Sequence, residues 1–142
     1  MQTSVPAAVV SGKAIWAGRI ISALVVLFLL VDGGMKLIPL DVVIEATGQL
    51  GYPVSLARTL GILTLVCTVL YVIPQTSVLG AILMTGYLGG SVASHLRIDS
   101  PLFTHVLFGV YLGLMIWGGL YLRDGRLRAL IPLRRGPGRS EP

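Results

Sequence analysis

Residues 16–38 read WAGRIISALVVLFLLVDGGMKLI, and the apolar run from Ile20 to Val31, interrupted only by Ser22 and followed at once by Asp32 and Lys36, decides the fold. A hydrocarbon layer about 30 Å thick needs about 20 helical residues to cross it. The run does not alternate apolar with polar residues, as a barrel strand would. Three further runs of this kind follow, at about 56–73, 78–94 and 106–122. The expected fold is therefore all-α: a polytopic four-helix membrane bundle forming one membrane domain over the 142 residues. Composition points the same way, with 54% hydrophobic and 12% charged residues and a mean hydropathy of +0.85. Soluble domains carry about 25% charged residues, so lipid is the expected solvent.

The basic residues set an expected orientation. Lys13 and Arg19 precede the first run, and Arg123, Arg126, Arg128, Arg134, Arg135 and Arg139 follow the fourth. The connections at 39–55 and 95–105 hold only Arg97, with Arg58 just inside the second run, against Asp41, Glu45 and Asp99. Lys and Arg are retained on the cytoplasmic side, which places both termini there and the two connections outside. The N-terminal run has no small-residue cleavage site behind it and is read as a retained span. The cell membrane, in a bacterium the inner membrane, is the expected location, and 134–142 is expected to form a flexible basic tail. The net charge of +5 and pI near 9.9 are concentrated beside the membrane, so they indicate topology and lipid headgroups, with no nucleic acid as partner. Cys67 is the single cysteine, which excludes an intrachain disulfide or a CxxC relay.

The connections differ. Pro74-Gln75-Thr76-Ser77 only reverses the chain. Residues 40–50 instead set Asp41, Glu45 and Gln49 at helical spacing, with Val43, Ala46 and Leu50 on the opposite side, ahead of Gly51-Tyr52-Pro53. That pattern predicts a short interfacial helix over the outer end of the bundle. Gly86, Gly90 and Ser94 recur every four residues, as do Gly109 and Gly113, and both rows are expected to bring spans three and four into close contact. Gly33 and Gly34 are expected to permit a local bend. Trp16, Tyr71, Trp117 and Tyr121 are expected at the inner boundary and Tyr52 at the outer one, while Tyr87 and Tyr111 fall deeper and need hydroxyl partners.

Side chains capable of chemistry gather at the outer end. Asp32 and Lys36 share a face of the first helix at i, i+4, and ionisable groups at that depth mark a functional site when they face the bundle or a wet cavity. If Lys36 reaches water and Asp32 merely neutralises it, the pair is topological. His95, Arg97 and His105 enter from the connection between spans three and four. Histidine exchanges protons near neutral pH and arginine grips oxygen in a fork, a combination suited to a polar headgroup or a quinone-like ring. Capping of helix ends is the plainer role for the histidines. Their ten-residue separation matches no zinc spacing, and no metal site is expected. The expected ligand-binding set is Asp32, Lys36, Tyr87, His95, Arg97 and His105, around one polar pocket beneath the 41–50 helix.

Several strings together carry a resemblance. Lys36 ahead of Leu37-Ile38-Pro39, Gly51-Tyr52-Pro53, the run Leu70 to Leu83 with Pro74-Gln75-Thr76-Ser77 inside it, Thr85-Gly86-Tyr87-Leu88-Gly89-Gly90 and His95-Leu96-Arg97 resemble the DoxX-like family of small four-span membrane proteins. The resemblance extends from about residue 16 to 133. It implies the four-helix membrane fold and a distant relation to a subunit of thiosulfate:quinone oxidoreductase, which makes a quinone the candidate cofactor. The chain departs from the family pattern where an acidic residue is common early in span two, since Gly61-Ile62-Leu63-Thr64-Leu65 is neutral. A proton relay at Thr64 is therefore not expected. Two functional classes follow: a redox or quinone-associated small-molecule-binding membrane protein with an outer-face pocket, or a non-catalytic scaffold or accessory subunit. The second would pack through glycine faces against a membrane protein partner or a second copy. A transporter is disfavoured, because no internal repeat or broken helix is visible.

Overall fold

A computed structural model describes residues 11–131, so the tail expected over 134–142 lies outside the described residues. Among the described residues six α-helices follow one another: α1 Gly12–Leu37, α2 Asp41–Gln49, α3 Ser55–Val72, α4 Ser77–Arg97, α5 Phe108–Arg123 and α6 Gly125–Leu130. A π-helical turn, Leu102–Val106, leads into α5. Four helical segments among these residues are long and apolar enough to cross a membrane, namely Gly12–Leu37, Ser55–Val72, Ser77–Arg97 and Leu102–Arg123. Neighbours around the bundle run α1, α3, α4, α5 and back to α1, so α1 and α4 face each other across the diagonal.

Two ends differ from the hydropathy reading, each for a backbone reason. Helix α4 continues through His95 and Arg97 and stops at Ile98, so both residues ride on its last turn rather than in a connection. Asp99, at φ 52°, takes the left-handed position, and the Asp99 and Ser100 amides donate to the carbonyls of Leu96 and His95. This is a Schellman ending, with aspartate filling the place that usually favours glycine. The fourth span, in turn, starts at Leu102 because the π-turn carries the hydrogen bonding forward from Pro101.

Helix α2 forms where its amphipathic spacing predicts it. Gly51, at φ 75°, ends it, with the Gly51 and Tyr52 amides donating to the carbonyls of Gly48 and Thr47. Pro53 then prevents the helix from resuming.

Lipid supplies no hydrophobic drive for helix association, so packing depends on backbones that can come close. The glycines that do this are only partly those of the two rows. A Cβ on Gly18 would lie 2.7 Å from the Gly119 carbonyl oxygen, and one on Gly61 would lie 2.8 Å from that of Gly33. Gly80 touches the Tyr71 backbone, and Gly109 lies against Leu88 and Val92 of α4. Gly33 thus serves a helix crossing, and Gly34 has nothing near it. Gly86 and Gly90, by contrast, have no neighbour within 4 Å of a built Cβ. The expected contact through that row is overturned: its small face fronts open space in the bundle.

Val25, Leu29, Met84, Ile116 and Leu120 fill the core. Tyr71, on the last turn of α3, is among them at 1% exposure. Its hydroxyl donates to the Ile116 carbonyl at 2.8 Å and pairs with Ser22 Oγ at 3.0 Å, joining α3 to α5 and α1. The phenol is stable at that depth because both bonds stay inside the protein. Gly18→Leu and Gly109→Leu are each expected to cost about 1–3 kcal/mol through overpacking, and Gly90→Leu to cost nothing measurable, as read by thermal unfolding in detergent.

Candidate functional site

The open space on the diagonal is a cavity of about 720 Å³ roofed by α2 and walled by α1, α3, α4 and α5. Drug-sized ligand sites occupy about 300–1,000 Å³. Most of the wall is apolar, with Phe28, Leu29, Leu60, Leu88, Phe108 and Leu112 around it. Phe28 and Phe108 meet edge to face at 5.2 Å and close the seam between α1 and α5. Val43, Ala46 and Leu50, the apolar side of α2, form the roof.

The polar groups enter from separate elements. From α1, Lys36 Nζ donates to Asp32 Oδ2 at 2.5 Å and to the Tyr87 hydroxyl of α4 at 3.0 Å. The pair is partly buried, with side-chain exposures of 23% for Lys36 and 33% for Asp32. Among the described residues it is the single ion pair. The lysine reaches Tyr87 because α1 crosses α3 at Gly33 and Gly61, where the Lys36 Cβ lies against the Gly61 backbone. Tyr87 thereby gains the hydroxyl partner its depth requires, whereas Tyr111 is 43% exposed.

His95 and His105 also line the cavity, with ring centroids 5.7 Å apart. His95 Nδ1 pairs with Ser100 Oγ at 3.1 Å, while the Ser100 amide donates to the His95 carbonyl, so one residue fixes both ring and backbone. His105 Nδ1 pairs with Thr104 Oγ1 at 2.7 Å. In each ring Nε2 is the nitrogen without a bond among the described residues. Five of the six expected ligand-binding residues, Asp32, Lys36, Tyr87, His95 and His105, thus line one cavity.

Arg97 is the exception. Its guanidinium donates through Nη2 to the Leu50 carbonyl and lies 5.9 Å from the centre of the Tyr52 ring. It binds the last turn of α2, and the neighbouring Tyr52 hydroxyl bonds Ser94 Oγ at 2.6 Å. Together these contacts fasten the roof to α4. Sequence reading missed this fastening, as well as the cavity-wall role of Gly86 and Gly90. The visible signal was Gly51-Tyr52, which needs a partner for its hydroxyl and leaves helix-end carbonyls for a donor.

The described residues contain no group of three or more His, Cys, Asp or Glu side chains that could hold a metal ion. Comparison with known proteins adds the family. The model of the DoxX-like family matches residues 20–119, which includes every residue of the cavity discussed above. The chain belongs to the DoxX-like family. No curated protein and no solved structure matches it. In this DoxX-like protein the matched region extends from the first turns of α1 almost to the end of α5, taking in the roof and all four walls.

Removing the guanidinium in Arg97→Ala is expected to loosen the roof without unfolding the bundle. Amide hydrogen exchange over 41–50 should speed up about fivefold, the equivalent of about 1 kcal/mol for an exposed charged hydrogen bond. Exchange over α3 should stay unchanged.

Proposed function

We propose that this DoxX-like protein is a multi-pass protein of the cell membrane, both termini cytoplasmic, that binds a small ring-bearing ligand of the quinone type in the cavity beneath α2. The observation that carries this reading is the state of Lys36. An ammonium has three donors. Two are committed, to Asp32 and Tyr87, and the third is available to an oxygen placed in the cavity. The ion pair with Asp32 holds the ammonium in place, and a hydrogen bond from its remaining donor is charge-assisted.

A quinone suits such a site by size and by donor chemistry. It would supply ring carbonyl oxygens, which accept hydrogen bonds and take up protons when the ring is reduced. Lys36 then holds one oxygen, and Tyr87, whose hydroxyl accepts from Lys36, has its own proton to donate. His95 and His105, at the other polar edge, exchange protons through the nitrogens that Ser100 and Thr104 leave free. Phe28, Leu29, Phe108 and Leu112 offer apolar surface to the ring and exclude water. Arg97 acts through α2, holding the roof closed, instead of clamping an oxygen itself.

The orientation is supported by the basic residues gathered at the end that carries Lys13, Arg19, Arg123, Arg126 and Arg128. A scaffold or accessory role through glycine faces draws less support. Gly18, Gly33, Gly61, Gly80, Gly109 and Gly119 are engaged within the chain, and Gly86 and Gly90 front the cavity.

The test uses purified protein in nanodiscs and a short-chain ubiquinone analogue, with binding followed by quenching of protein fluorescence. Lys36→Met is expected to weaken binding about tenfold or more, the worth of one charged hydrogen bond, and Tyr87→Phe by a smaller factor. Thermal unfolding should show both variants folded. Unchanged affinity in folded Lys36→Met would contradict the proposal.

A further inference from the structure

The opposite end of the bundle holds a second cleft, of about 390 Å³, lined by Arg19, Arg123 and Arg126 together with Asp124 and the turn residues Pro74, Gln75 and Ser77. We infer that this cleft is a binding site for a phosphate oxyanion, supplied by an anionic lipid headgroup or by free phosphate. The inference is independent of the ligand proposed for the cavity under α2.

Three observations carry it. First, helix packing forces the cations together: the Gly18 and Gly119 crossing brings α1 against α5, and a Cβ on Gly18 would lie 2.9 Å from the Arg123 amide nitrogen. Arg19 and Arg123 therefore line one cleft, and the repulsion between like charges gathered there is relieved by an anion between them. Second, these guanidiniums have no ion-pair partner among the described residues. The one carboxylate in the cleft, Asp124, accepts from the Arg126 amide at 2.9 Å as the cap of α6, and against three arginines it leaves the lining with an excess of positive charge. Arg123 Nε is buried and without a hydrogen-bond partner among the described residues.

Third, two of the three arginines also lie over aromatic rings. Arg123 lies 5.1 Å from the centre of the buried Tyr71 ring, and Arg19 lies 6.0 Å from that of Trp16. A guanidinium presents a planar fork, and that fork matches phosphate geometry. Arg128 supplies the contrast. It is two residues from Arg126 and carries the same charge, but its guanidinium donates to the Tyr121 carbonyl at 2.8 Å, outside the cleft. Basic clefts between membrane helices on the cytoplasmic side are suited to lipid phosphates, which is where the proposed orientation sets this one.

The experiment uses full-length protein in nanodiscs. Retention of phosphatidylglycerol against phosphatidylcholine is measured by lipid extraction and mass spectrometry for the wild type and for Arg19→Gln, Arg126→Gln and Arg128→Gln. The first two positions are exposed, so these variants are expected to fold. In parallel, wild-type protein in phosphatidylcholine alone is titrated with inorganic phosphate, read by the fluorescence of Trp16 beside Arg19 in a Trp117→Phe background.

Arg19→Gln and Arg126→Gln are each expected to reduce anionic selectivity about tenfold, as loss of one charge-assisted bond implies, and Arg128→Gln clearly less. Selective retention of phosphatidylglycerol with no response to phosphate assigns the headgroup as the source. A saturable fluorescence change with phosphate, lost in Arg19→Gln and Arg126→Gln, assigns the free anion. Equal losses in all three variants would reduce the effect to general surface charge and overturn the site. So would the absence of both lipid preference and phosphate response.

Discussion

Helix α1 meets its two neighbours through backbone, at Gly18 with Gly119 of α5 and at Gly33 with Gly61 of α3. The place of α1 in the bundle depends on these two crossings. In lipid, close approach is the main source of attraction between helices, and only glycine permits it here without displacing a backbone atom. The crossings lie at opposite ends of α1, so the helix is held along its length against both α3 and α5. The diagonal partner, α4, is left apart from it. The gap between α1 and α4 is the cavity, and the polar side chains inside it owe their positions to the same geometry.

Lys36 illustrates the dependence. Its Cβ lies on the Gly61 backbone, which directs the side chain past α3 toward Tyr87 instead of out into lipid. An ionisable pair within a spanning helix is costly, by about 2.5–3.5 kcal/mol for one such group at mid-membrane on insertion scales. Asp32 offsets part of that cost for Lys36, and Tyr87 contributes a second acceptor. At the other end the Gly18 crossing has an electrostatic consequence too, since it brings Arg19 and Arg123 to one cleft. Tyr71 joins the two halves of this scheme: its hydroxyl ties Ser22 of α1 to the Ile116 carbonyl of α5, and Arg123 lies over its ring.

Much of this is legible in the sequence. Hydropathy runs long enough for a bilayer appear four times, the spacing of Asp41, Glu45 and Gln49 marks α2, and Asp32 with Lys36 stands out because charges are rare in such runs. What periodicity does not contain is the identity of the facing element. A row such as Gly86, Gly90 and Ser94 declares a small face, but whether that face meets a helix or a cavity depends on partners far along the chain. The same limit applies to Arg97, whose fork suits a ligand oxygen and a helix-end carbonyl equally; Leu50, 47 residues away, decides for the carbonyl. Tyr71 resembles an interfacial aromatic by position, and only the convergence of Ser22 and Ile116 on its hydroxyl accounts for its burial.

The central claim is that Lys36 keeps one ammonium donor for a ligand in the cavity under α2. Lys13 and Lys36 are the only lysines in the chain, so ¹⁵N-lysine labelling gives two side-chain signals, and Lys13→Arg assigns them. Titration of labelled protein in nanodiscs with a short-chain ubiquinone analogue should move the Lys36 Nζ resonance and leave that of Lys13 in place. A Lys36 resonance that stays unmoved at saturating analogue would contradict the account.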